Sequence, residues 1–178
     1  KLITQIEREK HEQNKTISRY YNAIVNHDKA TVTTLEKQLE TMNILDADSK
    51  RFYTFANIIR GFHEQSHSKS DVVEKVKSLI DYPAVLEHDY LTDVEMLVMS
   101  TLIEFLPADK HTPILVRLTV YYENRDRIMS GENELIHSIV LMRMAKSHGQ
   151  KNNMDKVLEL SDIALNRGRL LKQTYLFY

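Results

Sequence analysis

The sequence predicts an all-α protein, built as a superhelical array of helix-pair repeats. Helix breakers are scarce: the 178 residues include only four glycines and three prolines, against average usages of roughly 7% and 5%. Apolar residues recur at steps of three and four, for example at Val94, Leu97, Val98, Leu102 and Phe105. This spacing places them on one face of a helix. A regular interval between helix starts is the third observation.

Capping residues and breakers divide the chain into helices predicted at 2–26, 30–42, 47–65, 71–81, 92–106, 111–127, 132–148, 154–167 and from 170 onward. Ser70 is expected to cap the fourth helix and Asn153 the eighth, because a side-chain oxygen there accepts from a free first-turn amide. Pro113 lies in the first turn of the sixth helix, where a missing amide hydrogen costs little. Gly149 and Gly168 are expected to end the seventh and eighth helices in a left-handed conformation.

These helices are predicted to form pairs. The odd-numbered helices start at Leu2, Ala47, Thr92, Glu132 and Leu170. The starts are about 38 to 45 residues apart, which is the interval of helical-repeat arrays, and short loops make neighbouring helices antiparallel. Residues 149–165 read like the second helix of a tetratricopeptide-type repeat, so we expect TPR-like pairs. An irregular bundle and a globin-like packing are the alternatives.

Composition excludes several classes of function. The formal charge is −1 and the pI is about 6.8, so these residues lack the basic surplus that nucleic acid attracts. Cysteine is absent, which excludes disulfides, thiolate zinc sites and cysteine nucleophiles and fits a reducing cytoplasm. No apolar run approaches the roughly 20 residues that cross a bilayer, and no signal peptide is recognisable. We therefore expect a cytoplasmic protein that does not bind membranes.

A curved stack of helix pairs offers a concave surface, lined by the first helix of each pair, that suits an extended peptide better than a catalytic triad. On that surface Asn57 can both donate to and accept from a peptide bond, and Arg60 can bind a carboxylate bidentately. The alternative for each position is an ordinary solvated or core residue. The candidate peptide-binding residues are Tyr53, Asn57, Arg60, Glu95, Met99, Ile103, His137, Leu141 and Met144.

Three segments carry a family resemblance. In residues 89–99 the dipeptide Tyr90-Leu91 leads into a helix with the acidic residue Glu95, and the apolar segments 102–107 and 134–141 follow in order. This pattern resembles the central part of Rgg/MutR-type transcription regulators of the RRNPP superfamily. The likeness covers nearly the whole chain, by pattern more than by identity.

The resemblance implies that residues 1–178 form the regulatory domain of a longer quorum-sensing regulator, without enzymatic activity or cofactor. The chain starts at Lys1 rather than methionine and stops within an apolar stretch, so we expect an N-terminal helix-turn-helix domain to precede it and to make all DNA contacts. The domain would bind a short signalling peptide and form a homodimer. Tyr175, Phe177 and Tyr178 are candidate dimer contacts, because an apolar end should not stay bare in water. Peptide would act by binding one dimer arrangement better than another.

Two other functions stay open. The string from His63 through Glu64 to His67 matches the HExxH pattern, in which two histidines one helical turn apart bind zinc and the glutamate activates water. Its polar surroundings, including Gln65 and Ser66, are unlike the buried helix of zinc peptidases, so we expect no metal. A helical-repeat scaffold for another protein is the second alternative.

The eight histidines are scattered along the chain. Imidazole changes charge near neutral pH, so ligand binding or dimerisation can acquire a pH dependence through them. His88 and His137 are the candidate pH-sensing residues.

Overall fold

The computed structural model describes residues 2–44, 46–123 and 134–170, and this part of the chain forms eight α-helices and no β-strand. The helices are α1 (Leu2–Val25), α2 (Lys29–Thr41), α3 (Ala47–His63), α4 (Lys69–Leu79), α5 (Asp93–Phe105), α6 (Thr112–Glu123), α7 (Glu134–Gln150) and α8 (Met154–Leu170). Short 3-10 turns lie at Ala84–Glu87 and Ala108–Lys110. The all-α prediction is confirmed. None of the helices described is long and apolar enough to cross a membrane.

Two predicted boundaries, the end of the sixth helix at Arg127 and the start of the seventh at Glu132, fall outside the described residues, as does the predicted ninth helix beyond Leu170. Leu170 itself is the last residue of α8. The first eight predicted helices correspond one to one with α1 to α8.

Helix starts follow capping chemistry, with one shift from the prediction. Pro113 lies in the first turn of α6, and the Asn153 side chain accepts from the Lys156 amide at 3.4 Å, as predicted. The Ser70 cap is wrong, because α4 already begins at Lys69. Ser68 Oγ accepts from the Asp71 amide at 3.1 Å and Asp71 Oδ2 accepts from the Ser68 amide at 2.8 Å. This reciprocal pair satisfies two free amides and fixes the start of the helix.

The glycine helix ends are also wrong. Gly149 lies within α7 and Gly168 within α8. After α7 it is Asn152 that takes the left-handed conformation, with φ 56°. Asparagine tolerates this conformation better than most residues with a side chain. The His148 carbonyl, near the end of α7, accepts from the Asn153 amide at 3.0 Å.

The helices cluster in two compact units, Lys1–Lys75 (unit 1) and Val76–Tyr178 (unit 2), with the boundary within α4. The sequence predicts one regulatory domain over residues 1–178, and this stays a prediction. In unit 1, α1 packs against α2 and α3. Its buried apolar residues, at helical spacing, include Ile17, Tyr20, Tyr21 and Ile24. The Tyr21 ring lies 5.8 Å from Phe52 and 5.5 Å from Phe55 of α3. Each large apolar side chain buried here stabilises the fold by roughly 1.5 to 3 kcal/mol.

The centre of unit 2 is α5, in which residues 94–103 are all buried. Thr92 and Glu95 form a capping box at its start. Helix α5 packs against α6 and α7, and α7 packs against α8. Helix α1 thus contacts both α2 and α3, and α5 contacts both α6 and α7. Helix pairs are expected to show this pattern, and the superhelical arrangement of all pairs stays a prediction.

Candidate functional site

Three predicted peptide-binding residues of unit 1 lie close together on α3. Tyr53, Asn57 and Arg60 are spaced by four and three residues, which puts them on one face of the helix. The centre of the group is Tyr20 of α1, which sequence reasoning missed. Its hydroxyl donates to Asn57 Oδ1 at 2.8 Å and accepts from Arg60 Nη1 at 3.2 Å. The rings of Tyr20 and Tyr53 are 5.7 Å apart.

Arg60 is already neutralised within this cluster. Its Nη1 forms an ion pair with Glu36 of α2, and its Nε lies 2.8 Å from Glu64 Oε1. The hydrogen bonds to Glu64 and Tyr20 raise the pKa of Arg60, while burial raises the pKa of Tyr20. A peptide carboxylate at Arg60 would have to compete with two carboxylates of the protein. The predicted role of Arg60 in peptide binding stays a prediction, and this geometry does not favour it.

The six candidates of unit 2 are interior residues in this structure. On α5, Glu95 completes the capping box, and Met99 and Ile103 are buried. On α7, His137, Leu141 and Met144 are buried as well. Of the six, Ile103 also lines a cavity, described below. Peptide contact by these residues stays a prediction, and their burial shows that they contribute to the core of unit 2.

His137 is enclosed by polar and aromatic groups. Its Nδ1 lies 3.1 Å from the Tyr122 hydroxyl, its Nε2 lies 3.3 Å from Asp93 Oδ1, and its ring stacks on Tyr121 with centroids 5.9 Å apart. His88 is exposed, and its carbonyl accepts from Arg117. A pH-sensing role for either histidine stays a prediction. The candidate dimer contacts Tyr175, Phe177 and Tyr178 lie outside the described residues.

The HExxH string does not form the helix that a zinc peptidase requires. Helix α3 ends at His63, Glu64 is its C-cap, and Gln65 is left-handed with φ 61°. The two histidines therefore do not lie on successive turns of one helix. The His63 ring contacts that of His27, with centroids 4.7 Å apart, and His67 Nε2 lies 2.9 Å from Lys75 Nζ. Among the described residues, no group of three or more acidic or histidine side chains is placed to hold a metal ion.

Unit 2 contains a cavity of about 360 Å³. This volume lies at the lower end of the roughly 300 to 1,000 Å³ typical of ligand pockets. Apolar residues form part of its wall and charged or polar residues the rest. The lining residues are Ile103, Glu104, Leu106, Ala108, His111, Arg143, Lys146, Ser147 and Gln150.

Arg143 is the most constrained of the charged lining residues, with 7% of its surface exposed. Its Nη1 donates to Thr101 Oγ1 at 2.9 Å and to Ser100 Oγ at 3.1 Å, both on α5. Its Nη2 lies 3.1 Å from Glu104 Oε2. The buried Nε has no acceptor among the described residues. An unmet buried donor costs about 1 to 3 kcal/mol, so Arg143 retains a capacity to bind an acceptor.

His111 and Ser147 form a buried pair at the same cavity. His111 Nε2 lies 2.9 Å from the Leu106 carbonyl, which can only accept, so Nε2 carries a hydrogen. For a neutral ring, Nδ1 then accepts from the Ser147 hydroxyl, 2.7 Å away. A hydroxyl that donates to histidine also occurs in nucleophilic sites. Ser147 lies inside α7, however, where the helix uses the backbone amides, so they are not available as an oxyanion hole.

Sequence reasoning missed this cavity apart from Ile103. Arg143, Ser147 and Gln150 recur at steps of four and three along α7, and their spacing matches that of the apolar face. The available signal was Arg143, a charged residue on the face of α7 that the apolar spacing predicts to be buried. The spacing did not indicate which oxygen atoms would surround it.

No protein-family model, curated protein or solved structure matches this chain.

Proposed function

We propose that this chain is a ligand-binding regulatory domain and that the cavity of unit 2 holds one end of a short peptide. The observation that carries the proposal is the composition of the cavity wall. Ile103, Leu106 and Ala108 offer apolar contact, while Arg143 and Gln150 offer hydrogen-bond donors. Such a mixture of apolar surface with a few placed polar groups is typical of binding sites.

The cavity has room for one end of a short peptide. The volume of about 360 Å³ accommodates the end of a peptide, and the remainder of the peptide would lie along the helices outside it. Helical-repeat proteins commonly bind extended segments in this way. The pairing of odd-numbered helices within each unit supports the same reading.

We further propose that the domain belongs to a dimeric regulator of the Rgg/MutR type. This part of the proposal depends on the resemblance of residues 89–99 and the segments that follow. DNA would be contacted only by an additional helix-turn-helix domain, and the peptide would act by favouring one dimer arrangement. The coding sequence upstream of Lys1 tests this part directly. If it encodes no helix-turn-helix segment, the regulator proposal fails and the binding proposal stands.

Affinity selection from a synthetic library of random octapeptides tests peptide binding. Ala108 lines the cavity and is exposed, so Ala108→Trp should fill the cavity without disturbing the core. We expect peptides selected by the wild type to bind this variant at least roughly tenfold more weakly, a loss of about 1.4 kcal/mol.

The matched control is Ala84→Trp, because Ala84 is likewise exposed and opens the other 3-10 turn. This variant should bind like the wild type. If Ala108→Trp binds the peptides as tightly as the wild type does, the cavity is not their binding site. If no peptide is selected and a large protein co-purifies with the chain instead, the scaffold alternative is favoured.

A further inference from the structure

We infer that the cavity of unit 2 recognises a carboxylate, and that Glu104 occupies the place of that carboxylate in this structure. The inference rests on the proposed function, since it specifies the chemistry of the ligand that the cavity binds. Its first support is charge. The wall carries one carboxylate, Glu104, and two cations, Arg143 and Lys146, so it has one more cation than carboxylates.

The second support is the way in which Arg143 is used. A guanidinium binds a carboxylate most strongly through two parallel N–H donors at once. Here Glu104 meets only Nη2, at 3.1 Å, and Nε has no acceptor among the described residues. Arg143 therefore has hydrogen-bonding capacity that Glu104 does not use.

The third support is the difference in constraint between the partners. The Arg143 side chain is 8% exposed and is tied to Ser100 and Thr101, whereas the Glu104 side chain is 32% exposed. Glu104 can therefore turn towards water, while Arg143 keeps its position. Lys146 Nζ lies 3.9 Å from Glu104 Oε1 and is largely exposed, so it can pair with the carboxylate of Glu104 or with that of the ligand.

In this mechanism the ligand exchanges with an internal group. When the ligand carboxylate enters, Glu104 leaves Nη2 and is hydrated, and Arg143 keeps one counter-ion throughout. A carboxylate thus always offsets the cost of burying the Arg143 charge. The exchange therefore costs less than the entry of an anion into an uncharged cavity. Glu104 thus weakens ligand binding by competition.

The test uses N-acetyl-leucine and N-acetyl-leucinamide, which differ only in the carboxylate. Methyl NMR signals of Ile103 and Ala108 report on the cavity wall, and those of Ile17 and Ile58 in unit 1 serve as internal controls. We expect the acid to shift the Ile103 and Ala108 signals saturably, and the amide to do so at least about fivefold more weakly. The α-amide of N-acetyl-aspartate, whose only carboxylate is on the side chain, distinguishes a peptide C-terminus from an acidic side chain.

Substitutions then test the exchange. Glu104→Gln keeps the size of the side chain and removes its charge, so the acid should bind about fivefold more tightly. Lys146→Gln, at an exposed position, should weaken binding of the acid. Glu64→Gln is the matched control, since it removes a carboxylate paired with Arg60 in unit 1, and it should leave the affinity unchanged.

Thermal unfolding gives a second readout. Glu104→Gln leaves the buried Arg143 without its carboxylate, so the melting temperature should fall, and millimolar N-acetyl-leucine should restore it more than N-acetyl-leucinamide does.

Equal binding of acid and amide would overturn the carboxylate inference and leave the peptide proposal intact. Weaker binding of the acid to Glu104→Gln would overturn the exchange. If library peptides bind equally well with a C-terminal carboxylate and with a C-terminal amide, the carboxylate inference fails while the peptide proposal stands.

Discussion

Arg60 in unit 1 and Arg143 in unit 2 both lie on an odd-numbered helix and both join it to an earlier odd-numbered helix, but they are satisfied differently. Arg60 is half-buried, and it contacts the carboxylates of Glu36 and Glu64 and the hydroxyl of Tyr20. Arg143 is buried, has one carboxylate, two hydroxyls and the Leu97 carbonyl as partners, and borders a cavity.

The difference separates a structural contact from the arginine that we propose for ligand binding. An arginine paired with two carboxylates has little further attraction for an anion, because its charge is already more than matched. An arginine with one mobile carboxylate and an unsatisfied nitrogen retains that attraction. Sequence reasoning selected Arg60, since position alone does not reveal how many acceptors surround a side chain.

The largest expected contrast is in stability. Arg143→Met should destabilise the protein by about 2 kcal/mol, because the buried hydroxyls of Ser100 and Thr101 lose their donor. Arg60→Met should cost about 1 kcal/mol, since its ion pairs are partly hydrated. Urea unfolding followed by circular dichroism measures both. If Arg60→Met proves the more costly, the distinction between the two arginines is wrong.

A smaller contrast lies within the Arg60 cluster. Tyr20→Phe removes the hydroxyl that donates to Asn57 and accepts from Arg60, and it should cost about 1 to 1.5 kcal/mol. Tyr53→Phe is the control, because the partly exposed Tyr53 contributes a ring contact with Tyr20 and should change stability by less than about 0.5 kcal/mol. Equal costs would show that the ring of Tyr20, and not its hydroxyl, organises the cluster.

The smallest expected effect is on pH dependence, with one histidine in each unit. Burial lowers the pKa of His63, with a further contribution from His27, and burial lowers the pKa of His148, with contributions from Lys156 and Lys151. The unfolded histidines titrate near pH 6.5. As the pH falls below that value, the unfolded state takes up protons before the folded state does. Stability should therefore decrease until the folded pKa is passed.

Melting temperatures measured between pH 8.5 and 5.5 test this effect. His63→Gln and His148→Gln should each lose less stability than the wild type between pH 7.5 and 5.5, and should parallel it between pH 8.5 and 7.5. A steeper loss in either variant would contradict the sign. The comparison between the variants shows which unit is the more sensitive to acid.

Local chemistry made most helices predictable. Few glycines and prolines, apolar residues at helical spacing and caps such as Asn153 act over one or two turns, so their effects can be read along the chain. The errors were local as well. Ser68 and Ser70 are equally good caps in isolation, and only the reciprocal bond with Asp71 selects Ser68. Gly149 predicts a helix end there, but it is Asn152, three residues later, that adopts the left-handed conformation.

The sequence by itself determined the fold class, the helix order and the grouping of Tyr53, Asn57 and Arg60 on one face, since all of these depend on neighbours in the chain. Only the tertiary structure decided that Tyr20 and Glu36 surround Arg60, and that Glu104 and Arg143, on different helices, meet beside a cavity. The affinity of a charged side chain for a ligand depends on its burial and on its remaining partners. Packing between distant segments sets both.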